Sequence, residues 1–118
     1  MTLSVDIWLR GSDFATTESI DSPPDPPARW TDADVRRVLE GMLRAMDRSR
    51  HPDGPERPIA LRGLSWIVNP YESGGVVIAI EITLGAAVAG PFDIDKSTLE
   101  AMIRRVLTDA LHQAPPIH

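Results

Sequence analysis

The chain has 118 residues, no cysteine and a formal net charge of −5. That length suits one domain with a core large enough to fold without a metal or cross-link. The lack of thiols excludes disulfide frameworks, thiolate metal sites and cysteine nucleophiles, and the acidic balance argues against an extended phosphate-binding surface, so nucleic acid is not an expected partner.

Thr2 to Arg10 alternate: Leu3, Val5, Ile7 and Leu9 point one way, Thr2, Ser4, Asp6, Trp8 and Arg10 the other. This predicts a first strand with one buried face. The start of the chain has no basic region ahead of an apolar run, so no secretory signal is expected and the cytoplasm is the default compartment. Residues 11–29 read as a connecting loop, because Pro23, Pro24, Pro26 and Pro27 block helix and central-strand pairing.

Thr31 predicts a helix start, with its hydroxyl facing the Asp34 amide and Trp30 and Val35 flanking the cap. Val35, Val38, Leu39, Met42, Leu43 and Met46 then make an apolar stripe, and Arg36, Arg37, Glu40, Arg44, Asp47 and Arg48 fall on the other side. The helix is predicted to stop near Arg50, because the segment from His51 to Pro58 holds three prolines and a glycine.

Ile59 to Val68 predicts a second strand, with Gly63 at a bulge and Leu64, Trp66 and Val68 inward. The Asn69–Gly75 connection predicts a hairpin into a third strand, where Val76, Ile78, Ile80, Ile82 and Leu84 set an aliphatic group at every second position. That strand is read as continuing through Ala86 and Val88 to Gly90-Pro91. The stretch from Val76 to Phe92 contains Glu81 and Thr83 and is too short to cross a bilayer, so no membrane association is expected. Asp95 predicts the start of a second helix with Leu99, Met102, Ile103, Val106, Leu107 and Ala110 as its stripe, ending near His112 before a tail at 113–118.

The fold class expected is therefore a single α+β domain over residues 1–118 in the order β-α-β-β-α. A small mixed three-stranded sheet carries both helices on one face, and the first helix is a right-handed crossover between parallel strands.

No catalytic constellation emerges. His51, His112 and His118 have no metal-ligand spacing, Asp93 and Asp95 are explained by capping, and the serines lack a nucleophile elbow. No catalytic residue, cofactor or metal site is expected, and the reading leans away from an enzyme. The uncovered sheet face instead carries Trp8, with Arg10, Val77, Ala79, Glu81 and Thr83. Large aromatics on such a surface mark interfaces, which implies a soluble binding or adaptor module that forms a homodimer or takes a protein partner through this face.

Two alternatives are open: a ligand pocket between sheet and helices, lined by Trp66, Met42, Met46 and Met102, and a small enzyme using Arg62, Glu81 or His51. The candidate binding residues are thus Trp8, Arg10, Arg62, Trp66 and Glu81. The segment Leu61 to Trp66, followed by a hairpin ending Glu81 to Leu84, resembles the dodecin pattern. In that pattern a strand–helix–strand–strand unit presents a tryptophan to flavin, and Arg62 and Trp66 match its informative positions. The resemblance implies flavin stacking at Trp66; the long Pro-rich insertion and the second helix depart from it. Eleven of the twelve cationic residues are Arg, a codon signature that suggests a GC-rich bacterial source.

Overall fold

The computed structural model describes residues 2–54 and 59–112, the last two by their backbone alone. The elements are β1 (Thr2–Leu9), β2 (Ala15–Asp21), a short 3-10 turn (Pro27–Arg29), α1 (Asp32–Arg50), β3 (Ser65–Pro70), β4 (Val76–Ile82), β5 (Gly85–Phe92) and α2 (Lys96–His112). The strands form one five-stranded sheet in the order β2-β1-β5-β4-β3, antiparallel at every pairing. The α+β class and the two helices stand. The three-stranded mixed sheet, the β-α-β-β-α order and the crossover between neighbouring parallel strands do not.

Two hairpins account for the difference. Within the segment read as a loop, β2 folds back on β1, pairing Thr2 with Asp21 and Trp8 with Ala15. Thr16, Thr17 and Ile20 are β-branched and favour a strand, but β2 is an edge strand on which only Ile20 is buried, so it lacks hydrophobic alternation. The run read as one long third strand turns back at Thr83-Leu84, pairing Ile82 with Gly85. The phase of burial records this turn: even-numbered positions are buried along β4, whereas Ala87 and Ala89 are buried along β5 and Ala86 and Val88 are not. A register shift opposite Val76 and Ile78 then lets Phe92 return to the core. Gly63 lies in the loop before β3 and makes no bulge there.

Helix α1 consequently lies in the chain between β2 and β3, the two opposite edges; it packs on β2, β1 and β5, while α2 packs on β3. Its start is a full capping box: the Thr31 amide donates to Asp34 Oδ2 at 3.0 Å, and the Asp34 amide to Thr31 Oγ1 at 3.3 Å. Trp30 before the cap is buried, donates its indole N–H to the Asp25 carbonyl at 3.0 Å and meets Phe92 edge-on at 4.9 Å. That single side chain ties the Pro-rich segment to the end of β5. Helix α2 starts at Asp95, whose carboxylate accepts from the Thr98 amide at 3.1 Å.

Both helices pack on the same sheet face, which supplies Val5, Ile7, Ile20, Val68, Val76, Ile78, Ile80, Ala87 and Ala89 to one continuous core. Ile80 is 2 % exposed in the middle of it. Ile80→Ala should cost about 2–5 kcal/mol in chemical denaturation, the transfer term plus the cavity left behind; a loss below about 0.5 kcal/mol would place it on the surface.

The helices are also joined by Arg105, which donates Nε to Asp32 Oδ2 at 2.8 Å and an Nη hydrogen to Oδ1 at 2.9 Å. This hydrogen bond, aided by the guanidinium charge and opposed by desolvation, holds the Asp32 carboxyl below the ordinary aspartate range. An aspartate whose value is lowered on folding adds stability above its unfolded-state value and loses it as pH falls through the folded one. The melting temperature of Arg105→Gln should therefore lie below wild type at neutral pH. The two curves should converge in acid as Asp32 protonates; a gap that persists there would assign the effect to packing.

Candidate functional site

The five-stranded architecture sharpens the surface opposite the helices. Alternation along each strand and the pairing register build it row by row. One row runs Ala15, Trp8, Ala86, Glu81, Ser65 across β2-β1-β5-β4-β3, and the next runs Thr17, Asp6, Val88, Ala79, Ile67. Val77 and Asn69 follow on β4 and β3. No helix covers these rows, and Trp8 and Ile67 are 45 % and 51 % exposed.

The face is divided in character. Toward β3, β4 and β5 it is apolar: Ile67, Val77, Ala79, Ala86 and Val88, closed on the β1 side by Trp8. Toward β2 it is polar, with Thr17 donating its hydroxyl hydrogen to Asp6 Oδ1 at 2.9 Å. Glu81 stands within the apolar part, between Ala86 and Ser65, beside a shallow depression of about 290 Å³ bordered by Ser65, Ile67, Ala79 and Ala86.

Trp8, Arg10 and Glu81 are thus brought to this side. Arg10 fastens its lower corner: its Nε donates to the Thr83 carbonyl at 3.0 Å and its amide to the Leu84 carbonyl at 2.9 Å, pinning β1 to the β4–β5 turn. Arg62 and Trp66 are elsewhere. Arg62 is exposed in the loop before β3, in a small depression shared with Leu61, Gly63, Leu64 and Leu107. Trp66 is half-buried on the helix side, with the Arg104 guanidinium of α2 over its ring at 5.6 Å from the centroid.

His51 caps the C-terminus of α1, its amide donating to the Asp47 carbonyl at 2.9 Å, so Arg62, Glu81 and His51 do not converge. Met42, Met46 and Met102 are buried in the core at 4 % exposure or less, where unbranched thioethers fill gaps between sheet and helices. His118 and the 113–118 tail lie outside the described residues.

Continuing the third strand through Ala86 and Val88 carries both to the buried side, so two of the six apolar residues of this surface are not legible from alternation. The change of alternation phase at Leu84-Gly85 is the signal that would have found them. Among the described residues no three His, Asp or Glu side chains gather in a set able to hold a metal ion, and no helix is long and apolar enough to cross a membrane. Comparison with protein-family models, with curated proteins and with solved structures finds no match.

Proposed function

We propose that this chain is a small non-enzymatic interaction module that pairs with a second copy of itself through the open sheet face. The observation that carries the reading is the exposure of Trp8 and Ile67 on either side of Val77, Ala79, Ala86 and Val88, in a surface that none of the described elements covers. The size of the face supports it. Five strands at about 4.8 Å spacing and six to eight residues at about 3.3 Å rise give a face of roughly 500–600 Å². Two such faces together reach about 1,000–1,200 Å², the lower end of stable interfaces. Self-pairing also needs no other chain, since a two-fold axis sets the same patch of one copy against that of the other.

The separation of Arg62, Glu81 and His51 favours binding over catalysis, since general acid–base work needs groups within reach of one substrate. The bacterial setting of the reading rests on the arginine-dominated cation set alone. Trp8→Ser, followed by multi-angle light scattering across a concentration series, tests the interface. The wild type should pass from monomer to dimer as concentration rises, with the Trp8→Ser transition displaced to higher concentration; an unchanged transition would remove this face from the interface.

A further inference from the structure

A second surface, away from the open face, combines a free sheet edge with cationic side chains. Strand β2 is an edge strand, so alternate backbone N–H and C=O groups along it face outward. Helix α1 runs beside it. Gly41 sits over Ile20, where a Cβ would come within 3.0 Å of Ile20 Cδ1, and the Ser49 hydroxyl donates to Glu18 Oε1 at 3.3 Å. The helix thus advances from residue 41 to 49 as the strand retreats from 20 to 18.

Between them lies a groove of about 370 Å³ walled by Ser19, Ile20 and Asp21 on one side and Arg37, Gly41, Arg44 and Arg48 on the other. The arginines recur on one helix flank, and the glycine between them lets the helix approach Ile20 closely. By alternation Ser19 and Asp21 send their side chains to the open face, so the strand offers its backbone edge here. The nearby Glu18 carboxylate is engaged by Ser49. Arg37 and Arg48 are exposed, and among the described residues neither has an ion-pair partner.

We infer that this groove receives an extended acidic segment of a partner polypeptide, which adds to β2 as a further strand while its carboxylates pair with Arg37 and Arg48. The geometry favours a strand over a point anion. Arg37 and Arg48 are separated by about 16 Å along the helix at 1.5 Å per residue, the length of about five strand residues. Side chains on one face of an added strand recur every 6–7 Å or so and can meet both cations. Main-chain bonds to the edge supply affinity, and charge supplies the choice of partner. The site stands apart from the self-pairing face and does not depend on it.

The probe is a fluorescent peptide of about nine residues alternating Glu with Thr, followed by anisotropy against the full chain at low salt. It should bind more tightly than the same peptide with Gln for Glu, and the difference should shrink as salt rises. Arg37→Glu with Arg48→Glu should weaken binding at least about tenfold, through two lost attractions and two new repulsions; Arg37→Gln with Arg48→Gln is the milder second pair if the first fails to fold. N-methylation of alternate peptide amides should abolish binding in one register and spare it in the other. Equal binding of the Glu and Gln peptides, indifference to both arginine pairs, or indifference to N-methylation in either register would each overturn the inference. Tighter binding of a single-stranded oligonucleotide at the same groove would also overturn it.

Discussion

Gly85→Ala is expected to destabilise the fold by about 2–6 kcal/mol, the sum of a strained backbone and an overpacked contact at about 1–3 kcal/mol each. Gly85 opens β5 and is paired on both sides, with Leu9 of β1 and Ile82 of β4. Its φ is +153°, and a Cβ built there collides with the Trp8 carbonyl oxygen and lies 2.9 Å from Leu9 Cα. Those obstacles are backbone atoms of a central strand, so relief requires β1 and β5 to part.

Gly11, with φ +86° but open space around it, is the natural control. Its alanine variant should cost only the left-handed backbone penalty of about 1–2 kcal/mol. Urea denaturation of both variants checks the pair, and a Gly85→Ala loss no greater than that of Gly11→Ala would mean the strands do not approach as closely as described. Because the same contact holds Trp8 in register with Ala86, a folded Gly85 variant should also bind its second copy less well.

Trp8→Lys combined with Ile67→Lys should abolish self-association without unfolding the monomer. Both side chains are about half exposed in the monomer, so their removal leaves no core cavity. At an interface the same residues would be desolvated. Buried aromatic anchors commonly carry 2 kcal/mol or more, so each substitution should weaken pairing at least about tenfold, and the like charges compound the loss. Phe14→Ser supplies the contrast: Phe14 is 77 % exposed but sits at the β1–β2 turn, off the central apolar rows. It should leave the dimer intact. A Phe14 effect as large as the Trp8 and Ile67 effect would indicate non-specific hydrophobic contact in place of a defined face.

The comparison of sequence and structure divides along a physical line. Elements whose own residues determine them were legible: β1 from strict alternation, α1 from the Thr31–Asp34 box and its stripe, α2 from Asp95. What could not be read was set by pairing with a distant strand. In β2, Thr16 and Glu18 occupy the helix-facing side where a central strand would carry aliphatics, because an edge strand under the rim of a helix buries little. The β4–β5 turn is formed by Thr83 and Leu84, without the glycine or asparagine that usually marks so tight a hairpin.

The candidate site was legible in the same proportion. Trp8 and Glu81 were placed on the open face by alternation alone, whereas Ile67 and Val88 complete it only when β3 and β5 are aligned by their pairing register across β4. Arg62 and Trp66 are linked by the dodecin resemblance. The start of β3 separates them, leaving one in a loop and the other beneath Arg104.

Sedimentation equilibrium of the wild-type chain over a wide concentration range tests the central claim most directly. A self-pairing open face predicts a reversible rise from the 12.9 kDa monomer toward twice that mass, accompanied by loss of solvent access at Trp8. A mass that stays at 12.9 kDa up to about 1 mM, where even weak pairing would register, would contradict it.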